Sequence, residues 1–299
     1  MKSKPLPKSG VTTQNSSRRD VFSRIRRSVV AIVKAPPIVP GQPFDLKQIF
    51  IAGSGFYVDK SGLVITAGHV VDKLVAAIQQ SQATGTVPEM PQVLAHGPIQ
   101  QSGNTVSWGY FLSPVASIFR PTAFDLAVLR TNVDGDAAKA ICAVEFATSQ
   151  CAEGDHVATC GYPFGMELHA QITGGIPTIV PSFSQGVVSA LLPHHAIPAA
   201  GQKRFQIHAM ISGGNSGGPV FDPYSGRVVG VITDSLNSKY EGVVTRQTPK
   251  NATGAPIGAP VEKIIDMEFP IGLALAEHSH HVSTVLAEMK LAEAKQGAP

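Results

Sequence analysis

Residues 51–70, IAGSGFYVDKSGLVITAGHV, form the pattern of a β-hairpin that ends on a histidine. The apolar runs IAGSGFYV and LVITA flank Asp59-Lys60-Ser61-Gly62. Asp and Ser suit a turn because they bond their own backbone, and Gly because it accepts positive φ. The same rhythm extends to both sides, in SVVAIVKA (28–35), WGYFLSPVASIFR (108–120), FDLAVLR (124–130) and HVATCGYPFG (156–165). It continues in SQGVVSALL (184–192), KRFQIHAM (203–210), GGPVFDPYSGRVVGVITD (217–234) and EGVVTRQT (241–248). Short β-rich runs separated by turn residues point to an all-β sandwich or a pair of barrels rather than to alternating βαβ units. Residues 81–104, polar and rich in Gly and Pro, are expected to be a loop or irregular insertion. No repeated unit is evident.

Two helices are expected at the ends. RRDVFSRIRR (18–27) places Val21, Phe22 and Ile25 on one side of a short basic helix. Residues 262–294 space Val282, Val285, Leu286 and Met289 at helical intervals, with charges opposite. Composition agrees with a folded chain. Of 299 residues 43% are hydrophobic and 15% charged, and 29 Gly with 23 Pro favour many turns.

Charge is uneven. The first 34 residues carry nine Lys or Arg against the single acid Asp20, whereas the remainder is mildly acidic. A basic head of this kind serves as a solubilising tail, as a packed helix face or as a contact for nucleic acid or anionic lipid. Residues 1–17 read as a disordered tail. Cys142, Cys151 and Cys160 have no metal-site spacing and cannot all pair, which suits a cytoplasmic or other reducing compartment. The opening lacks the apolar run of a secretory signal, and no uninterrupted apolar stretch is long enough to span a membrane.

Three segments carry chemistry. GGNSGGPV (213–220) surrounds one serine with glycines, which allows a tight turn whose N–H groups converge on one spot. VITAGHV places His69 at the end of an apolar strand, and AFDLAVLR places Asp125 among apolar residues. Burying a carboxylate is costly unless donors or an opposite charge satisfy it, so Asp125 calls for a partner. The order His69, Asp125, Ser216 is one of three chain orders by which unrelated proteases assemble the same relay.

With SGFYVDKSGLVITAGHV, DLAVL, GYPFG, QGVVSA and IHAMISGGNSGGPVFDPYSGRVVGV in order, residues 28–262 resemble the chymotrypsin-like serine peptidases, and among them the HtrA/Deg branch. The resemblance implies two perpendicular six-stranded antiparallel β-barrels, about 28–140 and 141–262, within a protease domain spanning 18–262. A helical extension would follow over 263–299. It implies a serine endopeptidase acting on extended polypeptides without a metal or other cofactor, with His69, Asp125 and Ser216 as relay. Gly214, Asn215 and Ser216 would form the oxyanion hole. Thr233 would sit behind Asp125 and donate to it, and Thr233, Asp234 and Ser235 would form the strand that pairs with substrate.

Met210 and Ile211 would floor the primary pocket and favour a small or medium apolar side chain, while Asp234 argues for a basic one. His208 stands where relatives often carry an acid. The branch forms trimers through N-terminal aromatic contacts, for which Phe22 and Phe44 are candidates. This chain departs from the pattern at Asn215, where members activated by cleavage carry Asp, so activity is expected without proteolytic activation. It also lacks the Asn-Pro ahead of the serine turn and a recognisable PDZ segment.

His278, His280 and His281 are expected at an exposed helix start rather than on a metal, and His194 and His195 in a loop. The competing reading is a silent or latent protease-fold module that only holds peptides. An acyl hydrolase of the α/β type is disfavoured by the absence of a G-x-S-x-G elbow.

Overall fold

The computed structural model describes residues 17–39, 45–85, 89–102, 105–133, 135, 138, 141–163, 179–193, 203–246 and 261–296. The expectations for the basic tail, Phe44, Phe164, Gly165, His194 and His195 therefore lie outside the described residues. Twelve strands form two closed antiparallel barrels. The first comprises β1 (Val29–Ala35), β2 (Phe50–Tyr57), β3 (Leu63–Ala67), β4 (Met90–Ser102), β5 (Thr105–Phe119) and β6 (Leu126–Thr131), ordered β1-β2-β3-β6-β5-β4. The second comprises β7 (His156–Gly161), β8 (Ser182–Pro193), β9 (Lys203–His208), β10 (Pro219–Phe221), β11 (Val228–Arg246) and β12 (Val261–His278), ordered β7-β8-β9-β12-β11-β10. The two orders are the same, so the fold repeats although the sequence shows no repeat.

Closure follows from how the strands are buried. Strand β1 is apolar on both faces. Val29, Ala31 and Val33 join a cluster that includes residues of both barrels, while Val30 and Ile32 join Val64, Leu129 and Val71. At the β2–β3 hairpin, the Asp59 carboxylate accepts from the Ser61 amide, the Ser61 hydroxyl and the Leu63 amide, which closes the expected turn.

Three segments differ from expectation. Residues 90–102 are strand β4, paired with β1 on one side and β5 on the other. Two ready partner edges outweigh the Gly and Pro content, and Gln92, buried, reaches the carbonyls of Ala35 and Pro36. Residues 261–278 are strand β12, not helix. They close the second barrel by pairing with β11 and β9, and the terminal helix begins only at Ser279. Ahead of both, α2 (Gly68–Ala83) follows β3 without a loop, and its Val70, Val71 and Leu74 are buried.

Both terminal helices pack on the barrels. In α1 (Arg18–Arg26), Ser17 and Asp20 form a reciprocal capping box and Val21 and Ile25 are buried. Phe22 packs on Phe183 and Phe221 within the chain, 4.7 and 5.6 Å between ring centres. The basic helix is thus seated on the second barrel, with Arg24 donating to Ser225 O and Arg18 bonded to Gln185. Helix α3 (Ser279–Gln296) buries Val282, Val285 and Met289 in the cluster shared by the barrels and joins β6 through Arg130 and Glu293, 2.7 Å apart. Among the described residues no helix is long and apolar enough to cross a membrane.

Candidate active site

Strand β3 passes directly into α2, so His69 becomes the second residue of a helix. The first turn of a helix leaves amides without intrahelical partners, and the N-cap here is Ala67, whose side chain cannot accept. Asp125 takes that part from another segment. Its carbonyl accepts from the Gly68 amide at 3.1 Å and its Oδ1 from the His69 amide at 2.9 Å. Its Oδ2 lies 2.7 Å from His69 Nδ1. A carboxylate only accepts, so Nδ1 donates to it and Nε2 is the ring nitrogen left for another partner.

Burial alone would raise the Asp125 carboxyl, but the hydrogen bonds and charge of His69, with Arg120 behind them, outweigh it and hold the group below the ordinary carboxylate range. Arg120 stands 3.6 Å from Asp125 and 3.4 Å from Asp72, and donates to the carbonyls of Pro121 and Phe124. It reaches them across Gly68, where a Cβ would fall 2.0 Å from the guanidinium carbon. His69 is 45% and Asp125 27% exposed, so the pair is open to solvent.

The serine turn sits at the barrel junction. Gly214 and Gly217 have φ of 97° and 85°. The turn is tied internally by Asn215 N to Ser212 O at 3.2 Å and Gly218 N to Asn215 O at 2.9 Å. It joins β11 through Gly217 N to Ile232 O and Ile232 N to Gly218 O, at 2.7 and 2.9 Å. It joins the first barrel through Ser54 N to Ser216 O at 2.8 Å. Gly217 is required for that seat, because a Cβ there would lie 2.0 Å from Ser54 O and 2.3 Å from Thr66 Oγ1, beside the end of β3 that leads to His69. The turn and His69 therefore meet at the same end of β3. No hydrogen bond joins His69 Nε2 to the Ser216 hydroxyl among the described residues.

The expected substrate-side residues are distributed unevenly. Ile211 is buried, whereas Met210 is 70% exposed. Exposed His208 passes beside Gly272, and the Ala209 amide donates to Gly272 O at 2.8 Å. Thr233 does not reach Asp125. It lies at a register shift between Ile232 and Asp234, where its hydroxyl accepts from Arg204 at 2.7 Å and turns toward Leu275 O. Asp234 accepts from the Ser235 amide. Strand β10 pairs with β11 only through Val228–Val231, so among the described residues the edge from Thr233 to Leu236 has no neighbouring strand opposite β12.

Residues not anticipated complete the surroundings. Ser54 is buried against the serine turn. Its signal was a serine between two glycines in an otherwise apolar strand. Glu277 and His281 are also buried, 2.7 Å apart, with Arg204 3.1 Å from Glu277 and the His281 ring stacked on Phe124. The expected exposed helix start is corrected here: His278 and His281 are buried, because β12 delivers this segment into the barrel junction before α3 begins. A pocket of about 440 Å³ lined by Cys151, Asp155, Asp222 and Arg227 lies apart from all candidate residues.

A sequence model of the trypsin-like peptidase domain matches residues 53–231. The uncharacterized protein y4bJ of Sinorhizobium fredii is 31% identical over 209 residues, 70% of this chain. The chain spans about a quarter of that relative, 26% of its length. Among solved structures, the HtrA-type protease AlgW with a decapeptide has a TM-score of 0.49 at 17% identity, covering 92% of this chain and 67% of that one. The serine endoprotease from Yersinia pestis has 0.49 at 17% identity, covering 91% and 66%.

Proposed function

Because the chain belongs to the trypsin-like peptidase domain family, we propose that it is a serine endopeptidase in which His69, Asp125 and Ser216 act as the relay. The observation that carries this reading is the Asp125 carboxylate, which holds both the backbone and Nδ1 of His69 and so leaves Nε2 as a base beside the serine turn. In this mechanism Ser216 Oγ attacks the scissile carbonyl while His69 Nε2 takes its proton, since a free serine is a weak nucleophile. The carbonyl oxygen gains charge and is met by the amides of Gly214 and Ser216, with Asn215 shaping the turn between them. Asp125 stabilises the imidazolium that results. Collapse of the tetrahedral species expels the amine, protonated by His69, and water releases the acyl group by the reverse steps.

The open edge from Thr233 to Leu236 supports recognition of an extended polypeptide by strand addition, with side-chain pockets supplying choice. Ile211 and Met210 favour a small or medium apolar residue before the cleaved bond, whereas the Asp234 carboxylate, one oxygen of which accepts from the Ser235 amide, would favour a basic one. The two barrels and α3 act as one catalytic unit in this reading. Homo-oligomerisation, as in the HtrA branch, is proposed without Phe22, whose ring is engaged within the chain.

A second reading, a latent or silent peptide-binding module, is favoured by the absence of a bond between His69 and Ser216 among the described residues. Catalytic hydrogen bonds often tighten only in the complex with substrate. Digestion of unfolded casein and of a peptide library by the purified chain separates the two. Cleavage after apolar residues that disappears in Ser216→Ala is expected. Peptide binding without cleavage under any condition would select the second reading, and cleavage after Arg or Lys would overturn the pocket assignment.

A further inference from the structure

Ser54 lies mid-strand in β2 with no exposed surface. A buried hydroxyl must find partners, and those of Ser54 are outside its own ladder. It donates to Gly214 O at 2.6 Å and accepts from the Tyr162 amide at 2.9 Å. The Ser54 amide donates to Ser216 O at 2.8 Å, and its carbonyl accepts from Thr66 Oγ1 at 2.6 Å against the space that Gly217 leaves open. One residue of the first barrel thus holds Gly214, Ser216 and the end of β7 in the second.

The bond to Gly214 has a particular consequence. The peptide linking Gly214 to Asn215 is fixed at both ends, its carbonyl by Ser54 and its N–H by Ser212 O. It lies between the two peptides whose N–H groups belong to Gly214 and Ser216, the donors proposed for the oxyanion. Rotation of this central peptide would redirect both donors, and peptide planes on either side of a glycine rotate at little steric cost. Asn215 adds a stop from the other side, because its Oδ1 occupies the space beside Gly161, 2.6 Å from where a Cβ would stand.

We propose that Ser54 is a positioning residue that locks the oxyanion turn across the barrel junction. The role rests on the serine endopeptidase reading, and Ser54 touches neither substrate nor the reacting atoms. Because the oxyanion forms only in the transition state, losing the lock lowers kcat and spares KM.

The test compares the full chain with Ser54→Ala and Ser54→Cys, the latter keeping a weak donor. It uses peptide hydrolysis, circular dichroism and amide hydrogen exchange over residues 212–218. Expected for Ser54→Ala is a kcat loss on the order of 10²-fold, toward that for removing an oxyanion donor. KM should stay within about threefold, and exchange at Gly214, Asn215 and Ser216 should be faster, with partial recovery of both in Ser54→Cys. An unchanged kcat, a loss confined to KM, or unchanged exchange in a folded variant overturns the role. If the unaltered chain proves inactive, the peptidase reading fails, and exchange over 212–218 still decides whether Ser54 holds the turn. Should Ser54→Ala not fold, Ser54→Cys is read by the same criteria.

Discussion

Asp125 and two histidines respond to acid in ways that can be told apart. The Asp125 carboxyl is depressed in the folded chain, so its contribution to stability is present above the ordinary carboxylate range and is lost as pH falls through its lowered value. His278 and His96 are also held down, each from 6.5 to about 4, chiefly by burial, with the charges of His280 and His281 adding for His278 and that of Arg26 for His96. His278 faces Cys151, Phe205, His280, His281 and Glu277, and His96 faces Trp108, Tyr110 and Arg26. Between pH 6.5 and 4 the unfolded chain binds protons at these rings that the folded chain refuses, so stability falls as pH falls through that window. The histidine loss therefore begins first. Melting followed by circular dichroism should show a midpoint that declines from pH 6.5 toward 4, less steeply in His278→Gln. A midpoint constant down to pH 4 would contradict the burial of both rings.

At the scale of elements, the junction of β12 and α3 is the part on which the C-terminal region depends. Glu277 holds His281 at the start of α3 and Arg204 on β9, and Arg204 reaches Thr233 on β11. Removing Glu277 leaves the Arg204 guanidinium without its carboxylate and the His281 ring N–H without its acceptor, at a cost of about 3–5 kcal/mol. Glu277→Ala should lose that much in denaturant titration, and a loss below about 1 kcal/mol would mean that the group is not a structural tie. None of this was legible beforehand, because alternate apolar residues in PIGLALAEH and the helical spacing of Val282, Val285 and Met289 ran together into one apparent helix. Strand β4 was hidden for the opposite reason: its Gly and Pro weaken the local signal, and pairing with β1 and β5 supplies the order. Helix α2 was legible in Val70, Val71 and Leu74 but was overshadowed by the hairpin before it. That hairpin, with Asp59 as its turn-former, was read correctly because its turn chemistry is local.

For the molecule as a whole, both barrels have one strand order although no repeat can be seen in the residues. Strand order is set by backbone pairing and turn position, and different apolar side chains satisfy it equally well. The candidate site arises where the barrels meet, from His69 and Asp125 on one and Ser216 on the other. These three candidates were named from the sequence, whereas the residues that hold them in the structure were not. Thr233 was expected to back Asp125, but a register shift turns it to Arg204, and the His69 amide and ring, with Arg120 behind them, take up the carboxylate instead. Ser54 passed unnoticed because its partners lie more than a hundred residues away. The central claim is that these parts assemble into a competent nucleophile, and the direct measurement is labelling of the purified chain with a fluorophosphonate, alone and with added peptide, followed by mass mapping. The account predicts phosphonylation of Ser216, absent in Ser216→Ala and strongly slowed in Asp125→Asn. A folded chain that stays unlabelled at Ser216 with and without peptide would contradict it.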